Sequence, residues 1–399
     1  MRIHSEKLPE SLSPELELLL ACARSRMDDA TARRARELTE QPLDWDYLVK
    51  TSSRHGLLPL LYSNLKASRA GVPENHLERL RDLFQKNAVR SVVLTEELHR
   101  ILDLFQSEDI RAMPYKGPSI ANSIYGHLAL RQFADLDILV RRQDVWHCQQ
   151  LLISMGYQPH FEITQRQLPA FLKLGYVQMF TRDKGRSIVE LHWAIASRFF
   201  MFPLDVDRLL GRLVPMDLMG KKVLAPAPDD LLLILCAHGA KDLWERLEWV
   251  CGIAELIQVH DINWEVVRQQ ARELGAERTL FLGLLLAKEI FGARLPEAVA
   301  ADIAAQPVIE GLAKQVTQNL LSGKAVSSGL RKMILFHIRT KERPVDRLRY
   351  CLRLLFTTTP VDWEILALPP ALSFLYPFIR PFRLAKKYAV NQSKSLFSS

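Results

Sequence analysis

Residues 115–140 read YKGPSIANSIYGHLALRQFADLDILV, and the end of this stretch decides the fold. From Phe133 onward it is a short apolar run carrying two carboxylates. In a β-strand successive side chains point to opposite faces. Asp135 and Asp137 therefore share one face, and Leu136, Ile138 and Val140 share the other. Two like charges on a strand that otherwise reads as buried repel each other and lose hydration. A bound cation removes both penalties, so the pair is a candidate metal site. Surface acids on an amphipathic strand are the plain alternative.

Just upstream, residues 110–115 read as a strand that enters Lys116-Gly117, and Pro118 suits the first turn of a helix ending near Gly126. A helix N-terminus offers free N–H groups to an anion. Gly117 would allow close backbone approach, and Lys116 would add a point charge. Ser119 either hydrogen-bonds a phosphate or helps cap the helix. Arg131 either clamps phosphate oxygens with its planar fork or pairs with one of the aspartates.

Downstream, residues 176–182 and 187–193 form a predicted hairpin around Asp183-Lys184-Gly185. Its second arm reads IVELHW and puts Ile188, Glu190 and His192 on one face. If this strand neighbours the aspartate strand, three carboxylates converge. Such oxygen ligands suit Mg²⁺. Two ions about 4 Å apart can activate an attacking hydroxyl and stabilise a leaving oxygen in phosphoryl or nucleotidyl transfer.

The rest of the chain reads as helical. Helices are expected over 16–23 and 57–65, over 73–83 and, separately, over 92–105, and again over 144–155, 231–238, 243–260, 264–274 and 279–290. Asp44-Trp45, Asn263-Trp264 and Asp362-Trp363 recur as a helix-start device. On one helix His238, Lys241 and Asp242 are neighbours, and Lys241 and Glu245 stand at pairing distance. Lys241 either reaches phosphates from a second domain or forms an ordinary surface ion pair. The predicted organisation is an N-terminal helical region (1–106), an α+β core (107–215), a helical domain (216–345) and a basic tail (346–399).

Composition bounds the class. The chain has 399 residues, 48% hydrophobic and 25% charged, as a soluble globular protein of two or three domains would. Five scattered cysteines make neither a disulfide framework nor a zinc pattern. The first residues lack an apolar signal-peptide region, and no apolar run reaches the roughly 18 residues of a spanning helix. A cytoplasmic location is expected. The net charge is +8, and it resides in the residues from Lys324 onward. For the mixed apolar and basic run 374–388, packing on the protein body is preferred. Contact with an anionic membrane surface or with RNA is the other reading of that tail. Stable nucleic-acid binding is not expected, because no aromatic platform is interleaved with the basic residues.

Taken in order, YKGPSIANSIYG, LRQFADLDILVRRQD, IVELHW and LCAHGAKDLWERLEWV resemble the bacterial nucleotidyltransferase family labelled NTP-transferase 5, within the polymerase-β-like superfamily. The resemblance spans about residues 40–290. It implies a small mixed-sheet nucleotidyltransferase core flanked by helical regions. Asp135 and Asp137 match the superfamily's metal-binding pair, and Glu190 matches the third acid. Gly117 falls at the glycine of the phosphate loop, although Pro118 stands between it and Ser119. Gly252 stands where relatives often carry an aspartate. The implied activity moves an NMP from an NTP such as ATP to an acceptor hydroxyl with Mg²⁺ or Mn²⁺. Lys116, Gly117, Ser119, Arg131 and Lys241 would bind the nucleotide. The acceptor could be a sugar, a metabolite, a protein or an RNA end. The rival expectation is a non-catalytic nucleotide-binding or scaffold protein with the same core.

Overall fold

A computed structural model describes residues 12–322 and 329–357. The run 374–388, the third helix-start device at Asp362 and most of the expected basic tail lie outside the described residues. The tail's described part is the helix Pro344–Phe356.

The architecture is α+β, with seventeen α-helices around a five-stranded mixed sheet among the described residues. The strands are β1 (Ala112–Pro114), β2 (Leu136–Val140), β3 (Gln158–Pro159), β4 (Val177–Arg182) and β5 (Ser187–His192), in the order β1-β2-β5-β4-β3. β2 and β5 run parallel, and the other pairs are antiparallel. The β4–β5 hairpin turns where Asp183, Lys184 and Gly185 all take positive φ, the backbone a tight hairpin requires. A second hairpin, β6 (Val214–Leu218) with β7 (Lys221–Ala225), was not anticipated from the sequence.

Alternation on β2 produces two different faces. Leu136, Ile138 and Val140 join Val189 and Leu191 in a core closed by Leu94, Leu98, Ile101 and Phe105 of the long helix Glu74–Ser107 and by the helix Val145–Ser154. On the other face Leu139 and Tyr115 join the larger core built by the N-terminal helices and the helices between Pro228 and Thr340. The acids lie at the seam between these two cores.

Local signals hold where they are strong. Asp44 accepts from the backbone N–H of Tyr47 at 2.9 Å, and Asn263 accepts from that of Val266 at 3.2 Å. Several boundaries shift by a few residues, and two differences are larger. The helices expected over 73–83 and 92–105 are one continuous helix of 34 residues. Its middle, with Asn87 and Ser91 facing inward, lacks the apolar repeat that would have announced continuity. The helix expected from residue 243 begins at Leu247. Before it, Leu243 and Trp244 take positive φ, and the Trp244 ring folds over Gly239, where any Cβ would lie 2.4 Å from it. Burial of that indole outweighs helix propensity at residues 242–246.

The cysteines are free thiols. No helix among the described residues is long and apolar enough to cross a membrane.

Candidate functional site

The parallel pairing sets Asp137 of β2 directly beside Glu190 of β5. Two residues on, the same face of β5 presents His192. His192 Nε2 lies 3.2 Å from Asp137 Oδ1 and 3.2 Å from Glu190 Oε2. Ligand atoms of these three residues all lie within 4.8 Å of one another, close enough to share one cation. Asp137 is buried, while Glu190 keeps 31% of its side chain exposed.

Lys116 closes the cluster from the other strand. β1 ends beside β2, and Lys116 Nζ reaches Asp137 Oδ1 at 2.6 Å. Burial would raise the Asp137 carboxyl, but the Lys116 ammonium and the His192 ring outweigh it and hold the group well below the usual carboxylate range. Burial would lower the Lys116 ammonium, and Asp137 reverses that shift upward. Asp135 stands outside the three-residue cluster. Burial first, then the charges of Asp137 and Glu190, push its carboxyl up to about 6. A carboxylate so destabilised gains from a nearby cation.

The turn after Lys116 is built for close approach. Gly117 has φ +52° and ψ −123°, a conformation that disfavours any Cβ. A Cβ there would stand 3.2 Å from the Asp135 carbonyl oxygen. Pro118 opens the helix Pro118–Tyr125 as expected. Ser119 is buried at its first turn, 1% exposed.

Cations and rings face the acids from elsewhere in the fold. Arg131 Nη1 is buried without a hydrogen-bond partner, so the expected alternative of an aspartate salt bridge does not account for that nitrogen. Lys241 ends the helix Pro228–Lys241. Its Nζ lies 5.7 Å from the centre of the Tyr176 ring and 3.4 Å from Asp242. Glu245 falls beyond the helix end, so no helical turn sets it above Lys241. His238 packs on Trp249 at 4.9 Å. Burial, with Lys116 and Lys241 nearby, holds its ring well below the usual histidine range.

The sequence reading assigned no role to His192, although alternation already placed it beside Glu190. Its ring is wedged between Tyr115 and Tyr176, at 5.2 and 6.0 Å. His238 was likewise seen only as a helix neighbour of Lys241. A histidine on an acid-bearing strand face was the available signal for the first; nothing local signalled the second.

The donor set fits a divalent cation. Two carboxylates suit Mg²⁺ or Mn²⁺, and an imidazole nitrogen in the set favours Mn²⁺ over Mg²⁺. In a comparison with protein families, the model described as an uncharacterised nucleotidyltransferase matches residues 41–292, more than half of the chain. A comparison with curated proteins gave no match.

Proposed function

Since this chain belongs to the uncharacterised nucleotidyltransferase family, we propose that it transfers an NMP from an NTP to an acceptor hydroxyl with the aid of Mg²⁺ or Mn²⁺. The observation that carries this reading is the register that sets Asp137 beside Glu190, with His192 bridging them. Asp137 and Glu190 would hold the cation with His192, and Asp135 would add its charge from outside that cluster. Bound there, a divalent ion would polarise the α-phosphate and stabilise the leaving oxygen. Lys116 neutralises Asp137 in its absence and is free to turn to the triphosphate once Asp137 has another cation. Arg131 brings an unpartnered buried donor, and Lys241 a second positive charge. Gly117 lets phosphate oxygens approach the backbone ahead of the helix Pro118–Tyr125. Glu190, more exposed than Asp137, would take the acceptor proton.

A screen with the four α-labelled NTPs tests this, using Asp137→Asn as the blank. Transfer and pyrophosphate release should depend on Asp137. Undiminished transfer in that variant would overturn the assignment. The short Lys116–Asp137 pair favours a second reading, a nucleotide-binding protein without transfer, in which Lys116 permanently replaces the ion. That reading requires NTP binding by calorimetry with no divalent dependence and no pyrophosphate release.

A further inference from the structure

On the long helix, Lys86, Val89, Arg90 and Val93 follow the spacing i, i+3, i+4 and i+7, which puts them on one face. That face is not packed: Val89 and Val93 are 66% and 58% exposed. Valine is a poor helix former, and exposed valines here gain nothing from burial within this chain. Across from them stands the β4–β5 turn with Lys184 and Arg186. Between the two walls runs a groove of about 770 Å³. Four cations line it against one acid, Asp82. Among the described residues, no ion pair engages Lys86, Lys184 or Arg186.

Both walls lead to the acid strands. Arg90 Nη2 donates to the carbonyl oxygen of Ala134 at 3.2 Å, and the next residue is Asp135. Arg186 enters β5 four residues before Glu190, about 13 Å of extended chain. A ligand in the groove thus lies at the end of the sheet where β2 and β5 begin, and its hydroxyl would reach the acid face around that end.

We propose that this groove seats the acceptor, and that the acceptor is an acidic peptide segment presenting a Ser, Thr or Tyr hydroxyl. The valines would take apolar side chains of the peptide and the four cations its carboxylates. Nucleic acid fits less well, because no aromatic ring lines the groove to stack a base. The chain's own residues from Thr358 onward are basic in sum, so they do not complement the groove. The inference rests on the transfer reading above. The peptide hydroxyl oxygen bonds to the α-phosphorus, and the bond from that phosphorus to the bridging oxygen breaks. Pyrophosphate leaves, and the hydroxyl proton passes to Glu190.

The test uses the full chain with α-labelled ATP and a divalent ion. The acceptors are short synthetic peptides of alternating Glu and Leu around one Tyr, Ser or Thr, the same peptides with Lys for Glu, and a single-stranded RNA oligomer. The acidic peptides should be labelled, about tenfold or more in preference to the basic ones. The double variant Lys184→Glu/Arg186→Glu should lose about tenfold or more in kcat/KM for the acidic peptide, through KM, with ATP affinity by calorimetry unchanged. Labelling of RNA in place of peptide, of basic and acidic peptides alike, or of no acceptor would overturn the proposal. Equal peptide labelling by the charge-reversed variant would overturn it as well. Failure of the transfer reading looks different: no pyrophosphate would be released from any NTP even with whole-cell lysate as the acceptor, or Asp137→Asn would label as wild type does.

Discussion

The two faces of β2 lie one residue apart in sequence and differ in almost everything else. Leu136, Ile138 and Val140 face a closed apolar core, where each side chain contributes by excluding water and filling space. Asp135 and Asp137 face a seam where carboxylates, an ammonium and an imidazole crowd together at hydrogen-bonding distance. The first face stabilises the fold. The second is costly to it, since buried charges are tolerated only when paired. One strand can serve both ends because alternation isolates the two chemistries without needing a second element. The site thereby inherits the rigidity of the core behind it.

That division can be broken most visibly at Asp137. Asp137→Asn should lower transfer by about a thousandfold or more, as expected when several kcal/mol of charge stabilisation is lost. It should also destabilise the fold, because Lys116, only 15% exposed, loses its partner. Adding Lys116→Met should recover stability, measured by urea denaturation, and leave transfer abolished. Recovery of both would mean that the acid face serves folding alone.

The opposite face should respond in the opposite way. Leu191→Ala on β5 opens a cavity in the apolar core and should cost about 3 kcal/mol. Transfer per folded molecule should stay within about twofold. A large kinetic defect at full stability would erase the distinction between the faces.

Outside the sheet, two buried histidines test the helical core that frames the seam. His55 accepts from the backbone N–H of Leu247 at 3.2 Å. His337 lies against Tyr350 and the carbonyls of Ala240 and Lys241. Burial first, then nearby cations, lower each ring to about 4 from an ordinary 6.5. Their depressed values mean that the unfolded chain takes up protons first. Stability is full above pH 6.5 and declines as pH falls toward 4, by about 3 kcal/mol for each ring. Thermal denaturation across that window should show the decline, and His55→Gln should remove about half of it.

The smallest effect is expected at the turn between the two chemistries. Gly117→Ala forces a Cβ into a positive-φ position close to the Asp135 carbonyl and should cost about 1–3 kcal/mol. If Gly117 also admits phosphate oxygens, NTP affinity by calorimetry should fall in the same variant. Unchanged affinity would confine its role to the backbone.

Much of this was readable in advance. The helix caps at Asp44 and Asn263, the hairpin turn at Asp183 and the helix opened by Pro118 all depend on a few consecutive residues, and they appear where expected. The shared face of Asp135 and Asp137 follows from strand period alone. The expectation that Glu190 would join them was conditional on strand pairing, which no local pattern contains. Lys116 was assigned to phosphate, and its 2.6 Å bond to Asp137 depends on β1 ending antiparallel beside β2. The broken helix at residues 242–246 depends on a tryptophan folding over a glycine five residues back. The groove beside the long helix was missed because the sequence suggested two helices there, with neither one carrying the whole Lys86–Val93 face.

By itself, then, the sequence determined the periodicities: which residues share a face, where helices start, and the ordered motifs that place the chain in its family. Only the tertiary structure decided which faces meet: Asp137 with Glu190, His192 between them, Lys116 across from β1, and the groove's two walls at the end of the sheet. The reason is physical. Backbone period and capping are settled within a few residues by sterics and local hydrogen bonds. The pairing of distant strands is settled by which combination of apolar surfaces can be buried at once, and that is a property of the whole chain.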